Sequence, residues 1–211
     1  MLHNCVTFQF DRHKFEEMVL YICTRCDASN LGSVKLHKTL YFSDMLKYVW
    51  DGAPISGETY RKSPLGPTSH HLYWTIRKLE AEKAISIRSA DYFGYKKQEY
   101  IAKRTPDLSR FTASERAVMD EIIEFVCNNN TAKGVSALSH TRAWELASPG
   151  GEIPYHTAFL IFPQNVSAEA FDWAKAEEAD IEAERSKSDS MGYTTLAAFR
   201  ARILASEADS T

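Results

Sequence analysis

The chain has 211 residues, 44% of them hydrophobic and 12% aromatic, enough to bury one core with some length left over. No apolar run approaches the roughly 18 residues of a membrane span, and Met1 to Asp11 lack the basic and then apolar segments of a secretory signal, so a cytoplasmic protein without a membrane partner is expected. The net charge of -3 hides an asymmetry, because residues 1–59 net -1, residues 60–104 net +6 and residues 105–211 net -8.

An amphipathic helix is predicted from about Asp11 to Cys26, with Phe15, Met18, Val19, Ile22 and Cys26 on one stripe. Asp27 to Gly32 supplies turn chemistry for an antiparallel return. The next helix, Val34 to Trp50, is apolar around most of its circumference: Val34, Tyr41, Met45 and Tyr48 form one stripe, Leu36 and Leu40 a second, Leu46 and Trp50 a third. A surface helix needs only one such stripe, so this one is placed at the centre of the fold. Ser33 is its expected N-cap and Asp51-Gly52 its stop.

Ile55 to Ser63 reads as extended, and Pro64 with Pro67 excludes a continuous helix, giving a loop with a short strand. Thr68 or Ser69 is placed to cap a third helix, where Leu72, Ile76 and Leu79 recur at helical spacing and Tyr73 and Trp74 widen the apolar face. Ile85 to Arg88, a turn at Asp91 to Gly94 and a return strand over Tyr95 to Ala102 make a basic hairpin, so helix plus hairpin is winged-helix-like. Thr112 with Glu115 forms a capping box ahead of Val118, Met119, Ile122, Phe125 and Val126. One further helix is expected over Thr131 to Ala147, with Val135, Leu138 and Trp144 inward, broken by Pro149-Gly150-Gly151.

From Ser167 the composition turns acidic, with only Phe171, Trp173 and Ile181 as apolar anchors. Ser186 to Gly192 reads as a linker and Thr195 to Ala205 as a short helix. The fold class is therefore α+β, predominantly α-helical: a helical domain around a buried central helix, with a small antiparallel β-hairpin as a winged-helix-like element.

Chemistry is harder to find. Cys5, Cys23, Cys26 and Cys127 are too few and scattered for a disulfide framework, and Cys23-x-x-Cys26 sits inside a helix with no second pair, so packing is the favoured reading. None of the seven histidines stands in metal-binding spacing. His37 and Asp44, two turns apart, are in reach of one another as a structural pair, and His140 is the expected polar neighbour of Trp144, bonded to the loop Gly151 to Pro154. No nucleophile elbow, phosphate loop or dinucleotide fingerprint is present. Neither catalytic residues, nor a metal, nor a cofactor is expected.

The order of motifs carries a resemblance. K-L-H-K-T-L-Y-F-S-D from Lys35 to Asp44 is followed by G-A-P-I-S-G-E-T-Y-R-K from Gly52 to Lys62, P-L-G-P from Pro64 to Pro67, and L-Y-W-T-I-R-K-L from Leu72 to Leu79. L-S-H-T-R-A-W-E-L from Leu138 to Leu146 and G-E-I-P-Y from Gly151 to Tyr155 come later. This resembles the Panacea domain of SocA-type antitoxins from bacterial and phage toxin-antitoxin systems, although Leu65 and Thr68 stand where the family more often has an aromatic residue and Val. The resemblance implies an antitoxin domain over residues 1–165, an acidic helical appendage over 166–211, and a cognate protein toxin as partner. Leu36, Lys38, Leu40, Tyr41, Asp44, His140, Trp144, Ile153 and Pro154 are its structural motif. The expected partner surface is Tyr60, Arg61, Lys62, Leu65, Gly66, Pro67, His70, Tyr73, Trp74 and Arg77. SocA-type relatives further imply a route in which the antitoxin is an adaptor that hands its toxin to a protease.

Nucleic acid is the rival partner. Arg61, Lys62, Arg77, Lys78, Arg88, Lys96 and Lys97 would line a helix and wing against operator DNA, as in antitoxins that repress their own operon. The sequence pI of about 6.2 is low for a dedicated DNA binder. The toxin class and the oligomeric state are not legible in the chain.

Overall fold

The computed structural model describes residues 8–92 and 94–162. The acidic appendage, its linker and the expected division at residue 165 lie outside the described residues.

Helix α1 (Arg12–Arg25) starts at Asp11, whose carboxylate accepts the Lys14 amide at 2.9 Å, and closes at Cys26. Helix α2 (Ser33–Asp51) is the expected centre, with Leu36, Leu40, Tyr41 and Met45 fully buried. Its start differs from expectation: Gly32, not Ser33, holds the cap position, and no side chain caps it. A Cβ at Gly32 would lie 3.1 Å from the Lys97 side chain. Gly52, at φ 73°, ends the helix in the left-handed region, as the sequence predicts.

The Gly-Pro segment folds into more structure than a loop. Strands β1 (Tyr60–Ser63) and β2 (Gly66–Ser69) form a tight antiparallel hairpin pairing Tyr60 with Ser69 and Ser63 with Gly66. A third stretch runs along the free edge of β1. Ile153 donates its amide to the Tyr60 carbonyl at 2.8 Å, and the Lys62 backbone exchanges bonds with Gly150 and Gly151 at 3.0 and 2.9 Å. Covering an edge in this way removes the unpaired amides that would otherwise invite another strand.

Helix α3 (Leu72–Ala81) follows, and the Ser69 hydroxyl accepts the Leu72 amide at 3.1 Å, although His71 occupies the cap position. Leu72, Thr75, Ile76 and Leu79 are buried. Tyr73 and Trp74 do not widen that face; they point to solvent at 59% and 71% exposure. Strands β3 (Ile85–Tyr92) and β4 (Tyr95–Ala102) pair in register from Ile85 with Ala102 to Tyr92 with Tyr95, giving the expected helix-then-hairpin order.

Helix α4 (Ala113–Ile123) carries the capping box, with both reciprocal bonds made. It runs into a π-helical turn, Glu124–Asn128, which shifts the buried stripe: Ile123 and Cys127 turn inward while Phe125, expected inside, is 38% exposed. The single helix expected over Thr131 to Ala147 is two. Helix α5 (Ala132–Leu138) and helix α6 (Arg142–Leu146) are separated by Ser139 to Thr141. Ser139 is fully buried and its hydroxyl donates to the Ser136 carbonyl at 2.7 Å. The break leaves Leu138 at 51% exposure and Trp144 half-buried. A 3-10 helix, Tyr155–Leu160, closes the described chain. Among the described residues no helix is long and apolar enough to cross a membrane.

Candidate functional site

The three least exposed charged residues among the described ones are Asp44, Lys38 and Glu58. Asp44 is fully buried on α2 and accepts four hydrogen bonds: from the Ser56 amide at 2.9 Å, the Ser56 hydroxyl at 2.6 Å, Tyr60 at 2.8 Å and Tyr155 at 3.4 Å. Tyr155 also donates to the Glu58 carbonyl at 2.6 Å. Burial pushes the Asp44 carboxyl above the ordinary carboxylate range, against the pull of its Ser56 and Tyr60 donors. This hub ties α2 to the segment before β1 and to the closing 3-10 helix. It does not involve His37, which was expected to meet Asp44; the His37 Nδ1 instead accepts the Ser69 amide at 3.1 Å.

Lys38 is the second inward group. It is 1% exposed, forms no ion pair among the described residues, and donates to the Pro67 carbonyl at 2.7 Å. Burial lowers its pKa to about 7, and burial followed by the charge of Lys38 lowers that of His37 to about 4. Gly66, at φ 91°, sits over this ammonium: a Cβ there would lie 2.8 Å from Lys38 Nζ and overlap Ser139 Oγ. The hairpin turn, Lys38 and the α5–α6 break therefore fit one another and no larger residue. Glu58 is the third, fully buried beneath His71, whose Nδ1 lies 3.0 Å from Glu58 Oε1. Burial raises the Glu58 pKa, and His71 opposes the rise.

These groups are structural in geometry. Tyr60, Gly66 and Pro67, expected on the partner surface, are buried, and their backbone shapes the hairpin. Leu36, Leu40, Tyr41 and Ile153 are core, while Pro154 is exposed and accepts bonds from Thr157. Trp144 donates its indole N–H to the Ser63 carbonyl at 3.1 Å, with the Lys62 ammonium 4.3 Å from its ring centroid. The His140 ring sits 4.2 Å from Trp144 as expected, but its buried Nε2 makes no hydrogen bond to the Gly151 to Pro154 loop. Cys23, Cys26 and Cys127 are buried free thiols, and among the described residues no cluster of His, Cys, Asp or Glu is placed to hold a metal.

What remains outside is the solvent face of α3 and its neighbours. Tyr73 and Trp74 meet edge-on with centroids 4.9 Å apart, and the Arg77 guanidinium lies 5.6 Å from the Tyr73 ring. Beside Trp74 a cavity of about 130 Å³ is lined by Phe10, Arg12, Glu16, His71, Thr75 and Lys78. His71 stacks on Phe10 at 4.2 Å with the rings nearly parallel. His70 and Leu65 are exposed nearby in sequence, Leu65 at the hairpin tip with its carbonyl bonded by Ser136 at 3.0 Å. Phe10 and Arg12 were not among the sequence candidates for this face, and Lys78 was named there only as a contact to operator DNA; Phe10 and Arg12 precede every motif and carry no local signal.

The basic middle of the chain is less free than its charge suggests. Lys78 contacts both oxygens of Glu16 at 2.7 Å, Arg88 bonds Glu99 at 2.6 Å and Arg104 bonds Glu17 at 2.7 Å. Lys62 donates to the carbonyls of Glu145 and Ala147 at 3.0 and 2.9 Å, and Arg61 faces Glu152 at 3.9 Å. Lys97 donates to the Ser29 carbonyl. Much of the local excess of cations thus staples the two hairpins and α3 to acidic or carbonyl groups elsewhere in the fold.

Residues 36–145, just over half of the chain, match the family described as antitoxin SocA-like, Panacea domain. No curated protein and no solved structure matches the chain. The matched span holds Lys38, Asp44, the first hairpin and α3, and stops short of Phe10, Arg12 and Tyr155.

Proposed function

The chain belongs to the family of SocA-like antitoxins with a Panacea domain, and from that premise we propose that it neutralises a cognate protein toxin in the cytoplasm by binding it directly, without catalysis of its own. One observation supports this reading beyond the family: the outward face of α3 presents Tyr73, Trp74 and Arg77, the residue types that dominate binding energy in protein interfaces, at 59%, 71% and similarly high exposure. Aromatic side chains this exposed contribute little to the fold that carries them. The buried carboxylates, by contrast, are occupied by hydrogen bonds that hold the fold.

The rival reading, operator DNA on α3 and the β3–β4 hairpin, needs a run of cations free to meet successive phosphates. Lys62, Lys78 and Arg88 are already engaged within the chain. Delivery of the toxin to a protease draws on no feature of the described residues.

The test is co-expression in cells with the protein encoded by the adjacent reading frame. The full chain is expected to restore growth and to co-purify with that protein in stoichiometric amount. Growth arrest persisting in the presence of soluble, folded chain overturns the reading.

A further inference from the structure

We propose that Cys26 and Cys127 are a redox-sensitive latch: hydrogen peroxide joins the two thiols in a disulfide that ties the end of α1 to the turn after α4. The inference goes beyond the antitoxin reading and does not depend on it.

The pair is made by the fold. Cys26 closes α1 as its C-cap, and Cys127 comes from far along the chain, in the π-helical turn Glu124–Asn128 that rotates it inward. They are 5% and 2% exposed, and the Cys26 thiol donates a hydrogen bond to the Cys127 sulfur. Two sulfurs already in hydrogen-bond contact have a short way to go to a covalent bond. Among the described residues no cluster is placed to hold a metal, so the pair lacks the ligand set that would make it half of a zinc site.

The surroundings assign the roles. The Lys35 ammonium, 7% exposed, lies 2.8 Å from the Cys127 carbonyl, and the Thr39 hydroxyl lies 4.0 Å from the Cys127 sulfur. The bond from Cys26, followed by Thr39 and Lys35, lowers the Cys127 thiol against the effect of burial, while the same bond and burial raise Cys26. Cys127 is therefore the attacking thiolate and Cys26 the resolving thiol. Cys23, one helical turn before Cys26, is pushed up to about 12 by burial and by the charge of Cys127, and stays a packed thiol. Both members of the pair sit at helix ends, where local opening is cheapest and admits a molecule scarcely larger than water.

The chemistry balances in two steps. The Cys127 thiolate attacks one peroxide oxygen, the O–O bond breaks, and the sulfur becomes a sulfenic acid while the second oxygen leaves as hydroxide and takes up the proton that Cys127 released. The Cys26 sulfur then attacks the sulfenic sulfur, and its proton leaves with the hydroxyl as water. Two thiols are oxidised to one disulfide and one peroxide is reduced to two waters.

The test is a peptide map of the full chain after peroxide treatment and alkylation of the remaining thiols. Trypsin cuts after Arg25 and so separates Cys23 from Cys26. The expected product joins the peptide Cys26–Lys35 to Ala117–Lys133, lighter by two hydrogens than their sum. Because the bond closes a long loop of the unfolded chain, the thermal midpoint should rise by at least about 5 °C and fall back on reduction. Cys26→Ala and Cys127→Ala should each abolish the link and the rise, and Cys23→Ala should keep both. If an alanine variant fails to fold, the wild-type map and the reversibility of its midpoint decide. Recovery of both thiols alkylated, a link from Cys23 to either partner, or Cys127 carried on to sulfinic acid with Cys26 still a thiol overturns the latch.

Discussion

Helices α2 and α3 are both rich in aromatic and charged residues, and they use them in opposite ways. α2 turns Lys35, Lys38, Asp44 and Lys47 inward and buries them, while α3 turns Tyr73 and Trp74 outward. The difference lies in what surrounds each helix. α2 is wrapped by α1, β2, α4, α5 and the closing 3-10 helix, so every face meets protein, and a polar residue there survives only by finding partners such as Ser56, Tyr60, Pro67 or the Cys127 carbonyl. α3 buries one stripe, Leu72, Ile76 and Leu79, and is released from packing on the other. A charged residue on α2 is therefore part of the scaffold, and an aromatic residue on α3 is available for recognition.

The sharpest way to break the contrast is Asp44→Ala. It leaves the Tyr60 hydroxyl, the Ser56 hydroxyl and the Ser56 amide buried without their acceptor, and at about 1–3 kcal/mol for each unsatisfied group the expected loss is at least about 3 kcal/mol of unfolding free energy. Denaturant titration checks it; a loss below about 1 kcal/mol would mean that the hub is solvated and α2 is not the scaffold.

Lys38→Met addresses the same helix through pH. The folded-state pKa is lowered to about 7 from an unfolded value of 10.5, so between those values the unfolded chain binds the extra proton and stability from this group rises with pH. Below pH 7 both states are charged and the cost of burying the ammonium is fully present. The variant should therefore be favoured most at or below pH 7. Its advantage should shrink by up to about 1.4 kcal/mol per pH unit on raising the pH toward 10, or become a deficit once the Pro67 carbonyl has lost a neutral donor. A difference between variant and wild type that is flat over this range would refute an uncompensated Lys38.

Gly66→Ala probes the seat of the hairpin on α2. The added Cβ would overlap Ser139 Oγ and crowd Lys38 Nζ, at a φ of 91° that L residues rarely adopt. A destabilisation of about 1–3 kcal/mol is expected; a neutral effect in thermal unfolding would show that the turn and the α5–α6 break are not fitted to each other. The smallest effect on stability belongs to α3: Trp74→Ala should change the unfolding free energy by no more than about 0.5 kcal/mol, as surface substitutions do. A larger loss would make Trp74 part of the scaffold and erase the distinction between the two helices.

Local signals in the chain located most of the elements. The Thr112–Glu115 capping box and the Gly52 stop are each encoded within a few residues, by side chains or by conformational freedom at that spot, and each stands where the sequence places it, whereas the cap expected at Ser33 falls on Gly32. The all-round apolar character of α2 likewise identified the centre of the fold. Errors fell where distant chain segments decide. Thr131 to Ala147 has helical composition throughout, yet it breaks where Ser139 meets the turn at Gly66, a residue more than seventy positions earlier. Phe125 lies at helical spacing from Val118 and Ile122, but the π-helical turn rotates it outward. His37 and Asp44 share a helix and were paired on spacing, whereas their true partners, Ser69 for one and Ser56 and Tyr60 for the other, come from the hairpin region.

By itself, then, the sequence determined the locally capped start at Thr112 and the stop at Gly52, which helix is central and to which family the chain belongs, because capping, periodicity and motif order are properties of neighbours along the chain. Tertiary structure alone decided which charges are free. The net +6 of residues 60–104 reads as a basic surface, but Glu16, Glu17, Glu152 and the carbonyls of Glu145 and Ala147 lie outside that stretch and reach it only on folding. Ion pairing is set by distance in space, and a burial cost is set by what packs on all sides. Neither is a function of position in the chain.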